Sequence, residues 1–182
     1  MEEAAAAEPE PVRVLTVGDG DLSYSLALAR AFGAAVRLTA TTLVAEAELS
    51  QTYSNAANCI AELRERGAHV QHLVDATALA ASDPPLGQQD HIIFNHPHLG
   101  LNDLDDEAAH AFRHGTLVSH FLHSAASILA PGGLVHLMLC GNQPRTWGAE
   151  ARALQLGLRL RQSHLTTSPS CFLLLDGAGL LK

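Results

Sequence analysis

The stretch VRVLTVGDGDLSYSLALARAF, residues 12–32, reads as strand, loop and helix in direct succession. Val12 to Val17 is short, apolar and rich in branched side chains, as a buried strand requires. Leu22, Leu26, Ala29 and Phe32 then recur at helical spacing. Between the two, Gly18 and Gly20 let the backbone turn sharply and approach a ligand where a β-carbon would collide, and Asp21 or Ser23 can cap the helix. A dinucleotide site would favour a third glycine at the position of Ser23, so the loop argues for close contact with a ligand and against NAD.

The same alternation continues outward. Gly33 stops the first helix, and VRLTATTL (Val36 to Leu43) predicts a second strand. The helix after it has Tyr53, Ala56, Ala57, Ile60 and Leu63 on one face and Glu62 spaced to pair with Arg66 on the other, and Gly67 closes it. His69 to Val74 predicts a third strand ending at Asp75, and His91 to Phe94 a fourth. Ala108 to Leu129 is long enough for a helix, with Gly115 as a point of interruption. Pro131-Gly132-Gly133 then turns into the strand Leu134 to Cys140. Near-continuous apolar strands alternating with helices predict an α/β fold: a mostly parallel central sheet with helices on both faces, Rossmann-like, in one domain spanning 12–182. In such a sheet ligands sit beyond the carboxyl ends of the strands, so Gly18 to Ser23, Asp75, Asn95 to His98 and Gly141-Asn142 are expected to converge on one rim.

Composition narrows the function. The 182 residues are 47% hydrophobic and 16% charged, a balance that suits a folded protein; only Met1 to Pro11, with four glutamates and two prolines, reads as a flexible acidic tail. That tail lacks the basic start and apolar run of a secretory signal, and no segment reaches membrane-spanning length, so a soluble intracellular protein is expected. The net charge of −8 and a single lysine, Lys182, exclude a broad basic surface that could hold nucleic acid unaided. An RNA substrate would need clustered arginines or a protein partner. Cys59, Cys140 and Cys171 show no CxxC spacing and read as free thiols. His96-Pro97-His98 and the pair His110 and His114 have ligand-like spacing, but no HExxH occurs and no acid or cysteine completes either, so no metal is expected.

Two elements carry chemistry besides the glycine loop. Asp75 can accept a hydrogen bond from an adenine amino group or cap the next segment. Asn95-His96-Pro97-His98, after a buried strand, can offer an amide oxygen and a backbone carbonyl to an acceptor's N–H, or form a purely structural turn.

The segments VGDGDLSYSLAL (17–28), LTATTL (38–43), NCIAELRERGAHV (58–70), VDATAL (74–79), DHIIFNHPHLG (90–100) and LAPGGLVHLMLCG (129–141), in that order, resemble the ribosomal-RNA uridine-N3 methyltransferase-like domain. The same domain occurs in ferredoxin-fold anticodon-binding domain-containing proteins. The resemblance implies an S-adenosylmethionine-dependent N-methyltransferase of nucleolar or cytoplasmic location. It implies that Gly18, Asp19, Gly20, Asp21 and Ser23 form the methionine side of the cofactor loop, that Asp75 is the adenine-side acid, and that Asn95, Pro97 and His98 are the acceptor corner. Trp147 resembles a family aromatic near the site. Methyl transfer from a sulfonium depends on alignment of the acceptor lone pair, which Asn95 would supply, with His98 or His96 as the base. Three departures stand out. Val44 occupies the place of the family's ribose-binding acid, with Glu46 as the expected substitute. His96 replaces an aromatic ring, and Ser168 to Lys182 lacks the aromatic and basic closing segment. A methyltransferase-like protein that serves as a non-catalytic binding or scaffold subunit is the alternative, and a methyltransferase for a protein or small-molecule amine is a third reading.

Overall fold

Val12–Val17 forms the predicted strand, β1, in a computed structural model that describes residues 9–100, 106–165 and 170–177. Met1 to Glu8 and much of the carboxyl-terminal segment from Ser168 lie outside the described residues. Helix α1 (Ser23–Phe32), β2 (Val36–Thr41), α2 (Glu46–Thr52), α3 (Ala56–Glu65), β3 (His69–Gln71), β4 (Gln89–Asn95) and α4 (Glu107–Ile128) follow. Then come β5 (Leu129–Cys140), α5 (Gln143–Thr146), α6 (Ala149–Gln155), β6 (Arg159–Leu165) and β7 (Ser170–Asp176). The strands make one seven-stranded sheet in the order β3-β2-β1-β4-β5-β7-β6. It is parallel from β3 to β5, and β7 inserts antiparallel between β5 and β6. The expected α/β fold, a mostly parallel sheet, is therefore what the chain adopts.

Strand alternation divides the core between the two faces. Val14, Leu38 and Ile93 pack with Leu26, Ile60 and Leu63 of α1 and α3. Their neighbours Leu15 and Ile92, with Val135 and Leu137, pack with Val118, Phe121 and Leu122 of α4 and with Ala149 and Ala153 of α6.

Several boundaries differ from the sequence expectation. β2 stops at Thr41, and beyond it the Thr42 hydroxyl turns to the Val44 carbonyl and His72 Nδ1, at 2.8 and 2.7 Å. β3 stops at Gln71, before Leu73 takes φ 60°, a left-handed conformation that breaks extended pairing. The predicted second helix is two helices separated at Tyr53-Ser54-Asn55, and Tyr53 and Ala57 are exposed while Cys59 joins the buried face. β5 begins at Leu129 rather than Leu134. It carries Pro131-Gly132-Gly133 as a bulge, so that Gln89 pairs with Leu129 and His91 with Leu134. α4 runs without interruption through Gly115, which is buried: a β-carbon there would lie 2.9 Å from both the Trp147 carbonyl oxygen and Arg152 Nη2. That glycine permits close helix approach rather than a break.

The entry to β1 is clamped to β4 by an ion pair. Arg13 gives Asp90 three bonds, from its backbone N–H (2.8 Å), Nε (2.9 Å) and Nη2 (2.7 Å). These hydrogen bonds draw the Asp90 carboxyl down from 3.8 to about 2. A folded-state value below the unfolded one contributes stability that is complete above the unfolded value and lost as pH falls through the folded one. With about a third of both side chains exposed, solvent screening leaves on the order of 1 kcal/mol. Asp90→Asn is therefore expected to lower unfolding free energy by about 1 kcal/mol at pH 7 and to match the wild type near pH 2 in urea titrations. An equal loss at both pH values would assign the effect to packing.

Candidate functional site

A cavity of about 350 Å³ opens at the carboxyl ends of β1 and β4. Thr16 to Gly20 form one wall, Ile93, Asn95 and His96 another, and Tyr24 and Met138 complete it. The volume is of small-molecule size. β1 and β4 are adjacent although distant in sequence, with Val17 opposite Phe94. That pairing is what sets the glycine loop beside the Asn95 corner.

The loop is shaped by its two glycines. Gly18 has φ 60°, and a β-carbon on it would stand 2.9 Å from Phe94 Cε2. A β-carbon on Gly20 would come within 3.2 Å of the Tyr53 hydroxyl. The Asp19 N–H reaches the Thr41 carbonyl at 3.3 Å and ties the loop to the end of β2. Asp19 turns its carboxylate to the start of α1, where one oxygen accepts the Ser25 N–H (2.7 Å) and hydroxyl (2.6 Å). The Ser25 and Thr16 hydroxyls are in turn 2.6 Å apart and buried, so the loop is anchored by a polar network reaching into β1. Burial raises the Asp19 carboxyl above its ordinary value, against the lowering effect of the Ser25 bonds. Asp21 takes the Ser23 N–H at 3.0 Å, so the first turn of α1 is capped from Asp19 and Asp21, and Leu22 adopts φ 64°.

Burial pushes the Tyr24 phenol up, with neighbouring Asn95 acting in the opposite direction. The backbone N–H of His96 bonds the Met138 carbonyl at 2.9 Å. His96 has φ 50°, a strained conformation for a residue with a β-carbon, and its Nδ1 lies 3.3 Å from Cys140 Sγ.

Of the residues singled out in the sequence, Gly18, Asp19, Gly20 and Asn95 line this cavity together, with His96. Asp21 and Ser23 do not line it, the Asp21 carboxylate being turned to the Ser23 N–H. Glu46 bonds Arg64 (2.7 Å) and stands 3.4 Å from His72, and these partners lower its carboxyl pKa. Asp75 is exposed and accepts the Thr77 N–H and hydroxyl, both at 2.7 Å, which is the turn-capping alternative. Pro97 is buried. His98 accepts the Gly100 N–H at 2.9 Å and packs on His110 and His114. Trp147 is a core residue stacked on His114. Sequence reasoning missed Thr16, Tyr24, Ile93 and Met138 as cavity residues. Thr16, a polar residue within an apolar strand, and Tyr24, inside the glycine-loop motif, offered a signal; Met138 reaches the site only through the β4–β5 register.

The sheet order, the single antiparallel strand and the glycine loop after β1 define the fold of S-adenosylmethionine-dependent methyltransferases. TrmN from Thermus thermophilus superposes with a TM-score of 0.64 at 24% identity, over 91% of this chain and 44% of that one. A methyltransferase from Pyrococcus furiosus gives 0.63 at 19% identity, over 93% of this chain and 76% of the other. The chain belongs to the BMT5-like family, described as rRNA (uridine-N3-)-methyltransferase BTM5-like, which it matches over residues 15–167. An uncharacterized protein of Arabidopsis thaliana is 36% identical over 154 residues, covering 81% of this chain and 73% of that protein. The human ferredoxin-fold anticodon-binding domain-containing protein 1 is also 36% identical, over 137 residues, but these make up 75% of this chain and only 21% of the human protein. Among the described residues no helix is long and apolar enough to cross a membrane.

Proposed function

We propose that residues 12–182 form one domain that binds S-adenosylmethionine and methylates a ring nitrogen, with a uridine of ribosomal RNA as the acceptor class. What carries this reading is the meeting of Gly18-Asp19-Gly20 and Asn95-His96 on opposite walls of one cavity at the carboxyl ends of adjacent strands. Family membership supports the nucleic-acid acceptor.

When bound, the cofactor supplies a methyl group activated on sulfur. The chain's own residues hold and orient. Gly18 and Gly20 give the cofactor close access to backbone, and Asp19 fixes the loop through Ser25. Asp75 remains the proposed adenine-side acid and Glu46 the proposed ribose-side acid; Glu46 would have to exchange Arg64 for the ribose. Asn95 presents its amide to the acceptor, and Pro97 stiffens the corner. Between the two candidate bases, His96 is the better placed to take the acceptor's proton, because it lines the cavity whereas His98 faces the α4 histidines. With a net charge of −8, RNA binding in this reading relies on a partner or on the few arginines rather than on a broad basic face.

The test is calorimetric titration with S-adenosylmethionine, followed by labelled methyl transfer into total RNA, protein extract and metabolites. Saturable binding with label entering RNA is expected. Asn95→Ala is expected to cut transfer at least about a hundredfold while changing cofactor affinity by less than about threefold, because the amide orients the acceptor and not the cofactor. Transfer retained in that variant rejects the acceptor assignment. No binding at millimolar cofactor rejects the enzyme and leaves the non-catalytic subunit, a reading favoured by the engagement of Glu46 with Arg64 and His72.

A further inference from the structure

The two histidine spacings that are each incomplete in sequence complete one another in space. His110 and His114 stand one turn apart on α4, His98 stands on the loop leaving β4, and one nitrogen from each lies within 4.8 Å of the other two. Ring centroids are 4.5 Å apart for His98 and His114 and 4.0 Å for His110 and His114, and the Trp147 ring stacks on His114 at 4.7 Å.

His114 is buried, with Nδ1 2.9 Å from the His110 carbonyl oxygen. A carbonyl only accepts, so that nitrogen carries the proton and Nε2 keeps its lone pair. Desolvation by burial also favours the neutral ring. A ring N–H held by a backbone carbonyl is the arrangement that orients metal-binding imidazoles. Here Nε2 meets the Leu99 N–H at 3.2 Å, and His98 Nδ1 meets the Gly100 N–H at 2.9 Å. Both are single bonds to adjacent exposed loop residues that a metal would displace.

We propose that His98, His110 and His114 form a site for one divalent ion of the zinc class. Among the described residues the group is three imidazoles with no carboxylate, a donor set that suits borderline ions such as Zn²⁺ or Co²⁺ and not Mg²⁺ or Ca²⁺. Zinc–nitrogen bonds of about 2.0–2.1 Å in a tetrahedral site require the nitrogens to close to roughly 3.3 Å. The loop at His98 can make that movement, since Leu99 and Gly100 are exposed and Gly100 has φ 81°. Bound there, the ion clips the segment after Asn95 to α4 and holds the cavity's far wall. The ion takes no part in methyl transfer, and the site does not depend on cofactor binding.

The test uses the untagged, chelator-stripped full chain. Calorimetric titration with Zn²⁺ is expected to show one saturable site and a raised Tm, with no response to Mg²⁺. Co²⁺ is expected to give the visible absorption of a tetrahedral nitrogen site, bleached by Zn²⁺. His114 is buried, so the variants are made at the other two positions. His110→Gln and His98→Gln are each expected to weaken zinc at least about tenfold, a loss that perturbing outer-shell partners alone can reach. His120→Gln, exposed on the same helix, is expected to leave affinity unchanged. Absence of saturable binding at millimolar Zn²⁺, or affinity untouched in both His98→Gln and His110→Gln with the fold intact by circular dichroism, would overturn the site.

Discussion

Gly18→Val is expected to lower S-adenosylmethionine affinity at least about a hundredfold, a change of about 3 kcal/mol. The residue sits at φ 60°, where a branched side chain is strained by about 1–3 kcal/mol. Space removes the remaining freedom. Its β-carbon would lie 2.9 Å from Phe94 Cε2, and Phe94 is held edge-on against Phe121 at 4.9 Å within the core. The loop can relieve both only by moving into the cavity that Asn95 faces. Calorimetry with the cofactor, alongside circular dichroism, reads the outcome. A folded variant with unchanged affinity would place the cofactor elsewhere.

The second large effect is on stability. Gly115→Val is expected to lower unfolding free energy by about 3 kcal/mol, through overpacking between α4 and the segment carrying Trp147 and Arg152. Replacing a mid-helix glycine by alanine ordinarily gains roughly 0.5–1 kcal/mol. Here the new carbon would stand 2.9 Å from a backbone oxygen, that of Trp147, which cannot swing away and which already accepts Arg152 Nε at 2.9 Å. The clash outweighs the propensity, and valine adds two methyl groups while losing most of the helical gain. Urea unfolding measures it. Gly115→Ala settles the sign: if alanine stabilises the protein, the close approach is not what selects glycine.

Much of the fold was legible because its cause is local. β1 matches its predicted bounds, since a six-residue run with four branched apolar side chains that ends at a glycine loop leaves little choice. Glu62 and Arg66 pair at 2.9 Å, as four-residue helical spacing requires. Reading failed where a distant group decides. Gly115 looked like a break, because a glycine that admits a carbonyl from 32 residues away has the same letter as one that ends a helix. Pro131-Gly132-Gly133 looked like a turn before a strand, whereas pairing of Leu129 with Gln89 draws the strand back past it.

The candidate site divides in the same way. Sequence alone determined the glycine loop, the strand that delivers it and the Asn95 corner, because each is a short run whose backbone demands are written in its own residues. Only the tertiary structure decided that β1 and β4 are neighbours, and therefore that Gly18 faces Asn95 across a cavity with Tyr24 and Met138. It alone turned Glu46 toward Arg64 and gathered His98 with His110 and His114. Strand order and side-chain partners follow from burying apolar faces across long sequence separations, and no local run of residues encodes them.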